Sequence, residues 1–135
     1  MRLTPILMLL GSLTTAAAQE TSKSTVINLD SSQWKHDKES DSILLHADPK
    51  TGAMELLVRF PAGHVIAPHF HESNERLIVA EGQVTLKQDS GDTPIDAGGY
   101  AFLPAKVVQR LSCTSKTRCT FYLIWDGNPQ SHPAK

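Results

Sequence analysis

Two histidines and a glutamate stand at metal-ligand spacing in the segment PAGHVIAPHFHESNERLIVAEGQV, residues 61–84. His69 and His71 are two residues apart, so both side chains would share one face of a β-strand, where side chains alternate with a period of two. Glu75 follows past the turn ESN, and a tight reversal could bring its carboxylate to the same point. Imidazole nitrogens and a carboxylate oxygen suit divalent transition metals. The spacing therefore predicts a metal site formed by His69, His71 and Glu75.

Each of these residues also has an ordinary interpretation. A single histidine is usually a surface or hydrogen-bonded residue, and Glu75 in ESNER would by default be solvated. The combination at this spacing, followed by the apolar run LIVA, favours the metal site. The neighbouring polar residues are expected to face water or the turn: His64, Glu72, Asn74 and Glu81.

The elements that must position this site are short β-strands. ILLHAD, the turn PKTG and AMELLVRF predict a hairpin, and SNERLIVAEG is expected to be a strand on which QVTLKQ pairs back. TPIDAGGYAFLPA predicts two short strands about Gly98 and Gly99, and KVVQRLSC with CTFYLIWDG predicts a last antiparallel pair. No segment has a helical apolar stripe of useful length. Many short strands separated by turns predict an all-β sandwich or barrel.

The first residues predict export. MRLTPILMLLGSLTTAAAQE has a basic residue, an apolar run and three small residues, which is the pattern of a signal peptide over residues 1–18, cleaved after Ala18. The apolar run from Leu3 to Leu13 is too short to span a bilayer. The protein is therefore expected to be secreted or periplasmic. Residues 19–42 are polar with one possible strand, Thr25 to Leu29, and residues 43–135 form the predicted domain.

Composition and net charge limit the number of domains and the classes of partner that this chain could have. The chain has 135 residues, 40% of them hydrophobic and 20% charged, which suits one globular domain with its own core. Removing the signal peptide leaves 12 basic against 14 acidic residues, a formal net charge of −2. This balance predicts neither a nucleic-acid partner nor a membrane partner.

The residue spacing over a longer segment resembles the motif of a known family. From Gly63 to Gly82 the sequence reads G-x5-H-x-H-x3-E-x6-G, which resembles in full the first motif of the cupin family. The resemblance covers about Ile43 to Asp126 and implies a single antiparallel jelly-roll barrel that holds a divalent metal inside. DPKTGAMELLVRFPAG is more loosely similar to the cupin subgroup that includes the sensor half of ChrR-type anti-sigma factors. The resemblance also implies a homodimer formed through the N-terminal strands, here Thr25 to Leu29 with Trp34.

The second cupin motif, G-x5-P-x-G-x2-H-x3-N, is only partly present. Gly98 and Pro104 agree with it, while Lys106 stands at the second glycine, Gln109 at the histidine and Cys113 at the asparagine. Gln109 is therefore the candidate fourth metal ligand.

Strand periodicity supports an inward side chain for Gln109, which would share a face with Val107, Leu111 and Cys113. An unpaired amide among aliphatic side chains costs about 1 to 3 kcal/mol, so Gln109 must find a partner. A metal would satisfy its oxygen. In the alternative, a three-ligand site, Gln109 donates a hydrogen bond to a metal-bound water or to Glu75.

Two imidazoles, a carboxylate and an amide would hold a divalent ion with open positions. The amide oxygen favours Mn or Fe, with Zn, Ni, Co and Cu as alternatives. Such a site predicts a small organic ligand or substrate with oxygen donors, and Glu75 is the candidate catalytic residue. Two functional classes follow: a metal-dependent dioxygenase, isomerase or hydrolase, or a non-catalytic module that binds or senses a metal or small ligand.

Two further expectations concern the packing. Cys113 and Cys119 bracket TSKTR and predict a disulfide in an exported protein. Tyr100 and Trp125 are expected at the barrel mouth or at a subunit contact. The following apolar residues are expected to line or fill the barrel: Met54, Leu56, Val58, Phe60, Leu77, Val79, Phe102, Leu111, Phe121 and Leu123.

Overall fold

A computed structural model of the protein describes residues 23–29 and 33–135. The predicted signal peptide, residues 1–18, lies outside the described residues. Nothing in the described part of the chain forms a helix that could cross a bilayer.

The described residues form eleven β-strands and no helix. In chain order these are β1 Lys35–His36, β2 Asp41–Ala47, β3 Met54–Phe60, β4 His69–His71, β5 Glu75–Glu81, β6 Gln83–Gln88, β7 Gly91–Asp96, β8 Tyr100–Leu103, β9 Arg110–Cys113, β10 Cys119–Trp125 and β11 Ser131–Pro133.

The strands form three sheets in which every pairing is antiparallel. A six-stranded sheet has the order β1-β2-β3-β10-β5-β8, a three-stranded sheet has the order β7-β6-β9, and β4 pairs with β11. One buried apolar cluster joins side chains of the six-stranded and the three-stranded sheets. This arrangement is the predicted all-β jelly-roll barrel.

Strand existence was predicted better than strand pairing. The hairpin of β2 and β3 is confirmed, but β6 pairs with β7 and β9 rather than with β5. The prediction that β9 and β10 pair is also wrong, because β10 lies between β3 and β5 in the other sheet. In a jelly roll the chain crosses between facing sheets, so neighbours in sequence need not be neighbours in a sheet. The predicted strand Thr25–Leu29 is absent as well, since residues 23–29 form no strand.

The predicted disulfide between Cys113 and Cys119 is confirmed, with a Cα–Cα distance of 5.7 Å. It joins the end of β9 to the start of β10 and so ties the two larger sheets together. Gly82, the last position of the first motif, lies against this link with φ of +79°. A Cβ atom at Gly82 would lie 2.8 Å from the Arg118 carbonyl oxygen and 3.1 Å from Cys119 Sγ. Glycine is therefore required here by both conformation and space.

Two aromatic residues occupy positions other than those expected. Phe102 was expected to line the barrel, but its exposed fraction is 48%. Leu103, next to it on β8, is 2% exposed and faces the core, so the alternation along the strand turns Phe102 outward. Trp125 was expected at the mouth or a subunit contact, yet it is 5% exposed and belongs to the core cluster.

Lys106, at the glycine position of the second motif, is the one non-glycine residue with positive φ among the described residues, at 64°. Its backbone N–H donates to the His71 carbonyl oxygen at 2.8 Å, which ties the loop after β8 to β4. The left-handed conformation brings Cβ close to the backbone and favours glycine. The conformation that the family motif assigns to glycine is thus retained here by a lysine.

We expect Lys106→Gly to be more stable than Lys106→Ala by about 1 kcal/mol, the reverse of the order at ordinary positions, because only glycine adopts this φ without strain. Alanine is the matched control, since both variants lose the Lys106 side chain. Equilibrium denaturation of the two proteins measures the difference. An alanine variant as stable as the glycine variant would contradict the strained conformation.

Candidate metal centre

Three segments of the chain bring the predicted ligands to one end of the barrel. His69 and His71 are the first and last residues of β4, and Glu75 is the first residue of β5 after a three-residue turn. Gln109 precedes β9 and forms an isolated β-bridge with His69, with paired backbone hydrogen bonds of 2.8 and 3.0 Å. Glu75 and Gln109 are buried, with exposed fractions of 1% and 3%.

The centre of the site is the Glu75 carboxylate. His71 Nε2 lies 3.0 Å from Glu75 Oε2. The same oxygen accepts a hydrogen bond from Gln109 Nε2 at 3.2 Å and another from Trp125 Nε1 at 3.0 Å. Three side chains from different segments therefore converge on one carboxylate oxygen.

Both predicted histidine ligands have one ring nitrogen held by the backbone. His71 Nδ1 lies 2.8 Å from the Pro129 carbonyl oxygen, and His69 Nδ1 lies 2.9 Å from the Ala67 carbonyl oxygen. A carbonyl oxygen only accepts, so each Nδ1 carries a hydrogen and each Nε2 is left to take a proton or a metal. This is the tautomer that backbone partners fix in metal-binding histidines.

The spacing of His71 and Glu75 would allow both side chains to contact one ion. Two ligand atoms each about 2.1 Å from an ion and at right angles to each other are separated by about 3.0 Å, which matches the 3.0 Å between His71 Nε2 and Glu75 Oε2. Gln109 Oε1, moreover, is buried without a hydrogen-bond partner. A buried polar oxygen left unpaired indicates a missing partner. The donor set of His71, Glu75 and Gln109 therefore fits a divalent metal.

His69 lies beside this set rather than within it. Its ring centroid is 4.9 Å from that of His71, with the rings nearly perpendicular. Across the described ranges, no three His, Cys, Asp or Glu side chains converge into a complete metal-ligand group. Of the four predicted ligands, the structure thus brings three into contact and leaves His69 as their neighbour. Metal ligation by all four stays a prediction.

The electrostatics of His71 follow from the same contact. Burial alone would lower the pKa of His71, but the hydrogen bond to Glu75 and the negative charge of Glu75 outweigh it. The pKa of His71 is consequently raised above its ordinary value of 6.5. A proton on His71 Nε2 would lie against the buried carboxylate.

Two residues of the site were not identified from the sequence. Trp125 is the last inward residue of β10, and the period-two pattern of this strand could have placed it inside the barrel. Asn74 was expected to face water or the turn, but its Oδ1 accepts from the Ala105 N–H at 3.0 Å and its Nδ2 donates to Asp126 Oδ2 at 2.9 Å. Asn74 therefore fixes the turn that carries Glu75, which no spacing rule indicates.

Comparison with known proteins agrees with the fold and the motif. A family model described as the cupin domain matches residues 56–125, slightly more than half of the 135-residue chain. The chain belongs to the cupin family. No curated protein sequence matches it significantly.

Solved structures of similar fold share little sequence with this chain. A double-stranded β-helix protein from Klebsiella pneumoniae superposes with a TM-score of 0.69 and 17% identity over 84% of this chain and 99% of its own. KdgF from Halomonas sp. gives 0.64 and 16% identity over 76% and 94%. The polyketide cyclase RemF from Streptomyces resistomycificus gives 0.60 and 21% identity over 73% and 72%. At these identities the likeness shows the fold alone.

We expect the stability of the metal-free protein to depend on pH through His71. Because the folded pKa is raised, protonated His71 stabilises the fold fully below pH about 6.5, and this stabilisation is lost as pH rises through the raised pKa. With a chelator present, the free energy of unfolding should fall more between pH 6 and 8.5 in the wild type than in His71→Gln. The control is His46→Gln, at an exposed position on β2, which should follow the wild type. Parallel profiles for wild type and His71→Gln would contradict the assignment.

Proposed function

We propose that this protein is an exported cupin that binds one divalent transition metal and acts on a small, oxygen-bearing organic molecule. His71 and Glu75 would hold the metal with His69. Gln109 would be the fourth ligand or a hydrogen-bond partner of a metal-bound water. The observation that carries the proposal is the 3.0 Å contact of His71 Nε2 with Glu75 Oε2 beside the unpartnered Gln109 Oε1.

The donor set favours a hard ion. Carboxylate and amide oxygens beside imidazole favour Mn or Fe, with Zn, Ni, Co and Cu as alternatives. When bound, such an ion supplies Lewis-acid or oxygen-binding chemistry. The residues of the chain supply the rest: backbone carbonyl oxygens orient both histidines, the apolar core excludes water, and Glu75 is the group that could take a proton from a substrate.

An enzyme is the first functional class that we propose. RemF, one of the proteins of similar fold, is named as a polyketide cyclase, so the fold is compatible with catalysis on a small organic molecule. Fold alone does not determine function. Dioxygenase, isomerase and hydrolase activities are the candidates for this ligand set.

A non-catalytic binding or sensing module is the second class, and one observation favours it. Glu75 Oε2 already accepts hydrogen bonds from Gln109 and Trp125. An oxygen that two donors already engage is less open to a proton from a substrate. A carboxylate held in this way is better suited to binding a cation than to moving protons.

Export and a homodimer complete the proposal. A disulfide between Cys113 and Cys119 supports an oxidising compartment, either secreted or periplasmic. Three apolar side chains that are partly exposed on the outer face of the six-stranded sheet, Ile78, Tyr100 and Phe102, support a contact between subunits.

The metal content of the purified protein tests the site. Protein from the exported fraction, prepared without added metal, should carry about one equivalent of Mn or Fe by elemental analysis. His71→Ala should lose it, because the variant removes an imidazole ligand. His46→Ala, at the exposed position on β2, is the matched control and should retain the metal.

The same preparations separate the two classes. For an enzyme, chelation should abolish turnover of small enolic or phenolic substrates and one metal should restore it. For a binding module, a ligand should change only the melting temperature. Zn or Ni would indicate a hydrolytic or isomerising site, and a protein that carries no metal and binds none on addition would contradict the proposal.

A further inference from the structure

Trp125 faces Glu75 across a strand pair. Trp125, the last residue of β10, is the antiparallel partner of Glu75 on β5. Both side chains are buried and point into the barrel at the same level, and the Trp125 indole N–H donates to Glu75 Oε2 at 3.0 Å. The indole also packs against the ring of His71, with centroids 5.4 Å apart at an angle of 60°.

The two hydrogen-bond donors on Glu75 differ in what else they can do. Gln109 carries both a donor and an acceptor, and its unpartnered Oε1 can turn to a metal or a water. The indole of Trp125 is a donor only and cannot bind a cation through nitrogen. When Gln109 reorients, Trp125 is therefore the partner that still holds the carboxylate.

We propose that Trp125 is a positioning residue of the metal site, which fixes the Glu75 carboxylate against His71 and so determines how tightly and in what geometry a divalent ion is held. The inference rests on the proposed function, since it concerns the same site. Hydrogen-bond partners behind a metal ligand typically contribute a factor of about 10 to 100 in metal affinity. Trp125 has the position and the chemistry of such a partner.

A purely structural role for Trp125 has a different signature. As a member of the core cluster, Trp125 could contribute only to folding, in which case Trp125→Phe would lower the melting temperature and leave metal binding of the folded protein unchanged. Phenylalanine keeps an aromatic ring in the core and removes the N–H. The substitution therefore isolates the hydrogen bond as closely as a natural side chain allows.

Co²⁺ is the probe, because its visible spectrum reports ligand geometry as well as binding. Calorimetric titration and absorption spectra are recorded for the full chain, for Trp125→Phe and for Trp34→Phe. Trp34 is the other tryptophan of the chain and stacks on the Arg59 guanidinium, 3.5 Å from the ring centroid. We expect Trp125→Phe to bind Co²⁺ about 10 to 100 times more weakly with an altered spectrum, and Trp34→Phe to match the wild type.

The outcomes separate this inference from the proposed function. Co²⁺ bound by the wild type and by Trp125→Phe with equal affinity and equal spectra would overturn the positioning role and leave the metal site standing. No Co²⁺ bound by the wild type would overturn both.

A measurement without metal covers the case in which Trp125→Phe does not fold. In the proton NMR spectrum of Trp34→Phe, the single indole N–H resonance belongs to Trp125. Adding Glu75→Gln to this variant should shift that resonance upfield, because a neutral amide is a weaker hydrogen-bond acceptor than a carboxylate. A resonance that does not move would overturn the inference.

Discussion

The burial of one carboxylate is the constraint on which the rest of this structure depends. Glu75 is 1% exposed at the end of an apolar barrel, where an isolated carboxylate would cost far more than any single hydrogen bond returns. Contacts with His71, Gln109 and Trp125, which belong to three different segments, offset the cost of burying this carboxylate. The barrel must therefore close for the carboxylate to be tolerated, and the carboxylate in turn gives the barrel one polar centre.

The barrel is closed by specific contacts at both ends of its strands. At the site end, Asn74 and the backbone of Lys106 tie the loops around β4 and β5 to their neighbours. At the opposite end, Gly82 lets the chain cross between sheets, and the Cys113–Cys119 disulfide joins the sheets directly. The same features that close the jelly roll thus hold His71, Gln109 and Trp125 within contact distance of Glu75.

Local patterns in the sequence predicted the fold class, the disulfide and most of the strands. They also selected four candidate ligands, of which His71, Glu75 and Gln109 are in contact while His69 lies beside them. They succeeded because strand periodicity and ligand spacing are properties of short segments. The pairing of β9 and β10 was predicted wrongly, since pairing depends on how the chain crosses between sheets. Trp125 and Asn74 were missed for a related reason: their partners, Glu75 and Asp126, are 50 and 52 residues away in sequence.

The central claim is that a divalent ion binds between His71 Nε2 and the Glu75 carboxylate. Anomalous diffraction from crystals soaked in Mn²⁺ or Co²⁺ tests this claim most directly. The account predicts one strong anomalous peak about 2.0 to 2.2 Å from His71 Nε2 and from a Glu75 oxygen. Crystals in which Glu75 keeps its contact with His71 and no peak lies between them would contradict it.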